Sequence, residues 1–106
     1  VKSRLTEIEE RRDRVFHALA DSTRREIVQR ITTGNRTVAE LSEPFGISAP
    51  AISRHLRVLE SSGLITRHKE WRTHRFSLNE SPLRDAQSVL NELSVFWLRR
   101  LLSSDN

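Results

Sequence analysis

Between Thr37 and Gly63 the sequence writes two helices with almost no chain between them. Thr37 and Glu40 stand three apart at the head of the first, the arrangement in which a hydroxyl and a carboxylate each satisfy a backbone N–H at a helix start. Pro44 and then Phe45-Gly46 interrupt that helix after little more than a turn, and Ser48 at once offers a new N-cap. Pro50 falls in the first turn of the second helix, where its missing N–H costs nothing, and Gly63 closes it. Two helices joined this closely have to cross at a tight turn, with Val38, Leu41 and Phe45 packing against Ile52 and Leu56.

The flanking segments build around that pair. Ile8, Val15, Phe16 and Leu19 recur on one side of a helix predicted over 8–20. Asp21 and Ser22 cap a second, with Ile27, Val28 and Ile31 on its inner face and Gly34-Asn35 as the stop. After Gly63 the period changes: Leu64, Ile65 and Thr66, then Phe76 and Leu78, suit two strands joined through Glu70-Trp71-Arg72-Thr73, a hairpin wing over 64–79. Ser81-Pro82 starts a closing helix over 82–102 with an apolar stripe at Leu83, Ala86, Leu90, Leu93, Trp97 and Leu101. The expected fold is mainly α with a small β-hairpin, a winged helix-turn-helix in the order α-α-α-α-β-β-α. At 106 residues it should be one domain, 1–106, with the helix-turn-helix at 38–62.

Charge points to a partner. Of the net +4, all is carried by the stretch 49–75, where Arg54, Arg57, Arg67, Lys69, Arg72 and Arg75 face only Glu60 and Glu70. His55, His68 and His74 lie there as well. On the second helix of the pair, with Ile52 as origin and about 100° per residue, Leu56 and Leu59 make the inward stripe. Pro50, Ser53, Arg54 and Arg57 turn outward, small at the N-terminal end and basic beyond it. Such a helix fits the major groove of B-DNA, where arginine reads guanine edges bidentately or grips phosphate. The expected DNA-binding set is Ser48, Ala49, Pro50, Ser53, Arg54, His55 and Arg57 on the helix, with Lys69, Arg72 and Arg75 on the wing. Of these, Arg72 is assigned to a groove, Lys69 and Arg75 to phosphate, and His55 to packing or a phosphate bond. His17 flanks the core face of the first helix, and His68 and His74 are strand residues facing each other or solvent.

These residues also carry a family resemblance. The run Phe16-His17-Ala18-Leu19-Ala20-Asp21-Ser22-Thr23-Arg24-Arg25-Glu26-Ile27, then Thr37-Val38-Ala39-Glu40-Leu41, the run Ile47 to Leu59, and Ser62-Gly63-Leu64-Ile65 resemble the ArsR-type winged helix-turn-helix regulators. Phe96-Trp97-Leu98-Arg99-Arg100-Leu101 is similar to the last helix of one branch of that family. The resemblance implies a homodimer built on the first and last helices, helices 8–20 and 82–102 here, which represses transcription from a pseudo-palindromic double-stranded operator and often releases it when an effector arrives. Two positions depart from the pattern. Ala49 stands where members often carry a base-contacting glutamine, and Trp71 stands where many have glycine at the wing tip.

Several activities find no support. The chain has no cysteine, so the thiolate motif that metal-sensing relatives carry on the bracing helix is replaced by Ala39-Glu40-Leu41-Ser42-Glu43. The last helix has Asp85 and Glu92 but no histidine beside them, so neither a metal nor another cofactor is expected. No catalytic constellation, membrane-spanning run or signal-peptide pattern appears, and the expectation is a cytoplasmic non-enzyme. The apolar content of the last helix exceeds one core-facing stripe, so the dimer interface is expected at Ile8, Val15, Leu90, Leu93, Trp97 and Leu101. An effector, if one regulates the chain, would sit between the first and last helices near Trp97. The alternative use of the fold, a protein-interaction module controlling another regulator, calls for exposed aromatics or leucines where this chain has Arg54 and Arg57.

Overall fold

The computed structural model describes residues 3–103. Helix α1 spans Arg4–Leu19 and α2 Ser22–Thr32; a short strand β1, Arg36–Thr37, leads into α3, Val38–Ser42. One 3₁₀ turn, Glu43–Phe45, precedes α4, Ala49–Ser61. Strands β2, Ile65–Glu70, and β3, Thr73–Leu78, form the wing, and α5 runs from Glu80 to Ser103. The architecture is the expected mainly helical one, with a three-stranded antiparallel sheet in place of a bare hairpin.

The extra strand is a correction to the α-α-α-α-β-β-α order. Arg36 pairs with Phe76 and Thr37 with Arg75, so β3 lies between β1 and β2. Two residues are too few to show any alternation of apolar and polar side chains, and only the arrival of β3 beside them makes them a strand.

Helix limits moved for similar reasons. Helix α1 begins at Arg4 rather than Ile8 because the Ser3 side chain accepts from the Thr6 N–H at 3.1 Å, extending the helix through polar turns that carry no apolar period. Helix α5 begins at Glu80, so Ser81 and Pro82 lie inside its first turn instead of capping it. Asn79, just before it, closes the root of the wing. Its amide donates to the Gly63 carbonyl at 2.8 Å and accepts from the Thr66 hydroxyl at 2.9 Å.

The core gathers Val15 and Ala18 of α1, Ile27, Val28 and Ile31 of α2, Leu41 of α3, and Ile52, Leu56 and Leu59 of α4. Leu64, Ile65, Phe76 and Ala86 complete it, with Val38, Phe45 and Leu83 packed partly against it. Every helix thus contributes its inner stripe to one cluster. Helix α5 contributes only its first turns. From Leu90 onward its large apolar side chains are exposed, and the molecule measures 62 × 38 × 21 Å. The radius of gyration, 17.1 Å, exceeds the roughly 13 Å expected of a compact chain of about 100 residues. A helix of this length leaves the core behind after its first half and carries an apolar surface out into solvent.

Candidate nucleic-acid interface

The bracing helix is set first. Thr37 and Glu40 form the capping box, with the Thr37 hydroxyl accepting from the Glu40 N–H and the Glu40 carboxylate from the Thr37 N–H, both at 3.2 Å. Hydrogen bonding from the Thr37 side chain, and then from the Thr37 backbone N–H, holds the Glu40 carboxyl below the usual carboxylate range, with smaller help from Arg75 and Arg36. Gly46 then turns the chain at φ 61°, a left-handed conformation that glycine adopts without steric cost.

Helix α4 follows with Ser48 as N-cap, its hydroxyl accepting from the Ala51 N–H at 3.3 Å, and Pro50 in the first turn. Ile52, Leu56 and Leu59 are fully buried, which fixes the rotation of the helix about its axis. Pro50, Arg54 and Arg57 are therefore exposed, as are Ser48 and Ala49, and Ser53 is half-buried at the edge of that face. The helix ends in a Schellman motif: Leu64 N–H bonds the Leu59 carbonyl at 3.2 Å and Gly63 N–H the Glu60 carbonyl at 2.9 Å, with Gly63 at φ 83°. That reversal delivers the chain straight into β2.

The wing pairs Ile65 with Leu78 through to Glu70 with Thr73, leaving Trp71 and Arg72 as a two-residue turn. Its cations divide into two kinds. Arg67 lies over the Phe76 ring at 4.9 Å and is bound to Glu60 on α4 at 2.7 Å, a bond that raises its guanidinium pKa. Arg75 reaches Glu70 at 3.3 Å and Glu40 at 3.7 Å, tying the wing to the bracing helix. Lys69 and Arg72 are exposed and make no ion pair among the described residues, and the same holds for Arg54 and Arg57 on α4. Unpartnered cations carry their full charge to a polyanion; Arg75, expected at phosphate, shares its charge with two carboxylates. His68 is engaged too, its Nε2 lying 2.8 Å from the Ser77 hydroxyl, so it does not face His74.

His55 is half-buried and bonded from behind. The Arg24 guanidinium comes within 3.4 Å of its Nδ1, while donating to the Ala18 carbonyl at 2.7 Å and the His17 carbonyl at 3.1 Å. Sequence reasoning passed over Arg24. Its only local sign is the spacing to the cap residue Asp21, three positions earlier, whose carboxylate accepts the Arg24 N–H.

The residues expected at an interface between copies fall into two groups. Leu90, Leu93, Trp97 and Leu101 are exposed on α5, Trp97 by 62%. Ile8 is half-buried. Val15 is a correction: it is 3% exposed and belongs to the core of its own protomer, because α1 turns it toward the centre together with Ala18. Among the described residues there is no group of three or more His, Asp or Glu side chains placed to hold a metal ion, and no helix is long and apolar enough to cross a membrane.

Residues 21–67 match the family described as bacterial regulatory protein, arsR family. The transcriptional repressor SdpR of Bacillus subtilis (strain 168) is 38% identical over 72 residues, which cover 68% of this chain and 80% of the repressor. An ArsR-like transcriptional regulator from Rhodococcus sp. RHA1 superposes with a TM-score of 0.81 at 28% identity, covering 91% of this chain and 88% of that one. A homodimeric winged helix-turn-helix DNA-binding domain from Mycobacterium bovis shares the fold at a TM-score of 0.70 and 22% identity, over 95% of this chain and 91% of that one.

Proposed function

The chain belongs to the ArsR family of bacterial regulatory proteins, and on that footing we propose that it is a cytoplasmic homodimeric repressor whose α4 reads a pseudo-palindromic operator. It is a DNA-binding transcriptional regulator, not an enzyme. The observation that carries the reading is the separation of the two faces of α4. Ile52, Leu56 and Leu59 are sealed in the core, while Arg54 and Arg57 stand exposed and unpartnered on the other side.

In this reading α4 lies in the major groove, N-terminal end first. Ser48, Ala49 and Pro50 are small enough to let the backbone approach the base edges, and Ser53, Arg54 and Arg57 contact bases or phosphates. Arg24 of α2 braces α4 from its flank through His55, and Lys69 and Arg72 extend the contact along the wing. Arg75 serves chiefly to hold the wing on α3.

Assembly follows from α5. Leu90, Leu93 and Trp97 form an exposed apolar surface beyond the core, and a twofold axis there would bury it in both copies at once. At about 25 cal/mol per Å², several hundred Å² of apolar area favours association by several kcal/mol before entropic costs. Twofold symmetry places two α4 helices against two half-sites, separated by a helical turn of about 34 Å or a multiple of it. An effector would act by changing how the two copies are set at α1 and α5, near Trp97.

The test is selection from random-sequence duplexes by the full chain, followed by binding to the recovered duplex across a range of salt. A twofold-symmetric site whose affinity falls steeply with salt is expected. Recovery of no preferred sequence, with weak binding indifferent to salt, sinks the reading and favours the protein-contact alternative.

A further inference from the structure

Trp71 occupies the first position of the two-residue wing turn with φ 56°, the single non-glycine residue at positive φ among those described. A left-handed backbone brings Cβ against the following carbonyl, so hairpin turns of this length ordinarily use glycine or asparagine there. The indole recovers nothing inside the protomer. It is 87% exposed, the most exposed large apolar side chain among the described residues, and neither cation–π contact found among them includes it. A strained conformation combined with an idle aromatic ring points to a use outside the chain.

The surroundings say what kind of use. Lys69 and Arg72, both exposed, stand on either side of Trp71 in the chain, and the acid between them, Glu70, turns its carboxylate to Arg75 at 3.3 Å. The tip therefore gathers an exposed indole and two unpartnered cations within one short stretch of chain. It also stands on a firm base. Arg75 ties β3 to Glu40, and Arg72, Thr73 and His74 line one side of a groove of about 460 Å³ whose other side is Thr37, Val38 and Ala39. A minor groove offers the matching chemistry, with sugar and base edges as apolar walls and a row of phosphates on either rim.

We propose that Trp71 is a DNA contact in its own right, seated against the sugars and base edges of the minor groove flanking the base pairs read by α4, with Lys69 and Arg72 on the bordering phosphates. This rests on the reading of α4 as the major-groove helix. It adds a source of sequence preference that does not need base-specific hydrogen bonds, because groove width and the ease of unstacking a step depend on sequence.

The experiment compares the wild-type chain with Trp71→Gly and Trp71→Phe on the selected duplex, and on a version trimmed of the flanks outside the α4 contacts. Glycine relieves the backbone and removes the ring, so Trp71→Gly should melt no lower than wild type. Its affinity for the long duplex should nonetheless fall by about 5- to 150-fold, the range covered by the loss of one aromatic stack. Trp71→Phe should recover most of that, and on the trimmed duplex all three should bind alike. Equal binding of wild type and Trp71→Gly to the long duplex overturns this role while leaving the α4 reading intact. An equal loss on both duplexes also overturns it. Failure of the wild-type chain to bind any duplex overturns both.

Discussion

Arg24 and His55 meet where α2 passes behind α4, with guanidinium Nη1 3.4 Å from imidazole Nδ1. A guanidinium has only donors, so the imidazole nitrogen is the accepting side of this contact. The same side chain, 13% exposed, bonds the carbonyls of His17 and Ala18 at the end of α1. One arginine thus joins the end of α1 to α4.

Arg24→Ala should cost about 2–3 kcal/mol of stability, since a charge-assisted donor is removed from a largely buried site. Arg24→Lys should restore only part of it, because a single ammonium cannot span two carbonyls and an imidazole. Urea unfolding measures both; an alanine variant within 0.5 kcal/mol of wild type, on the scale of ordinary surface substitutions of about that size, would show the contacts to be idle.

Asp21→Ala removes the N-cap of α2 and should cost about 1 kcal/mol near neutral pH. The Asp21 carboxyl is held below the usual range, first by the Arg24 backbone N–H and then by the charges of Arg24 and His55. A carboxylate with a lowered folded pKa adds stability that is fully present above its ordinary value of about 4 and is lost as pH falls through the folded value. The gap between wild type and variant should be flat above about pH 5 and shrink below about pH 4. A gap that widens with acid contradicts the assignment.

Arg54→Ala with Arg57→Ala should abolish sequence-specific binding while leaving the helical content and the assembly unchanged. Single losses of Lys69 or Arg72 should each lower the log–log salt slope by about one. Arg67→Ala should leave that slope nearly unaltered, because Glu60 already compensates its charge at 2.7 Å. Slopes that drop equally for Arg67 and Arg72 would mean that ion pairing does not sort the cations.

Trp97→Glu places a charge on the exposed half of α5 without touching the core. Sedimentation should show the 12.3 kDa protomer at concentrations where wild type sediments at twice that mass, with an unchanged circular dichroism spectrum. Wild type sedimenting as a protomer at micromolar concentration would remove the twofold reading altogether.

Most of the helix-turn-helix could be read from residue order, because its signals are local. Thr37 with Glu40, Gly46, Ser48 with Pro50, and Gly63 each fix a few dihedrals or satisfy a backbone group within a few positions. The spacing of Ile52, Leu56 and Leu59 then decides which side of α4 is left outside. Contacts between distant parts of the chain left no such mark. Val15 was expected at an interface because periodicity says that a side chain lies on an apolar face, and does not say whether that face meets its own core or another copy. The pairing of Arg75 was hidden for the same reason: composition shows its charge and hides Glu40, which only the closure of the sheet brings within reach.

Sequence alone therefore determined the helices of the reading head, the rotation of α4 and the region that carries the net charge. Tertiary structure decided the third strand, the grip of Arg24 on His55, which cations remain unpaired, and the left-handed backbone at Trp71. The physical reason is reach. Caps, turns and amphipathic stripes are settled within one or two helical turns, whereas ion pairs and strand partners tens of residues apart exist only after the core has closed.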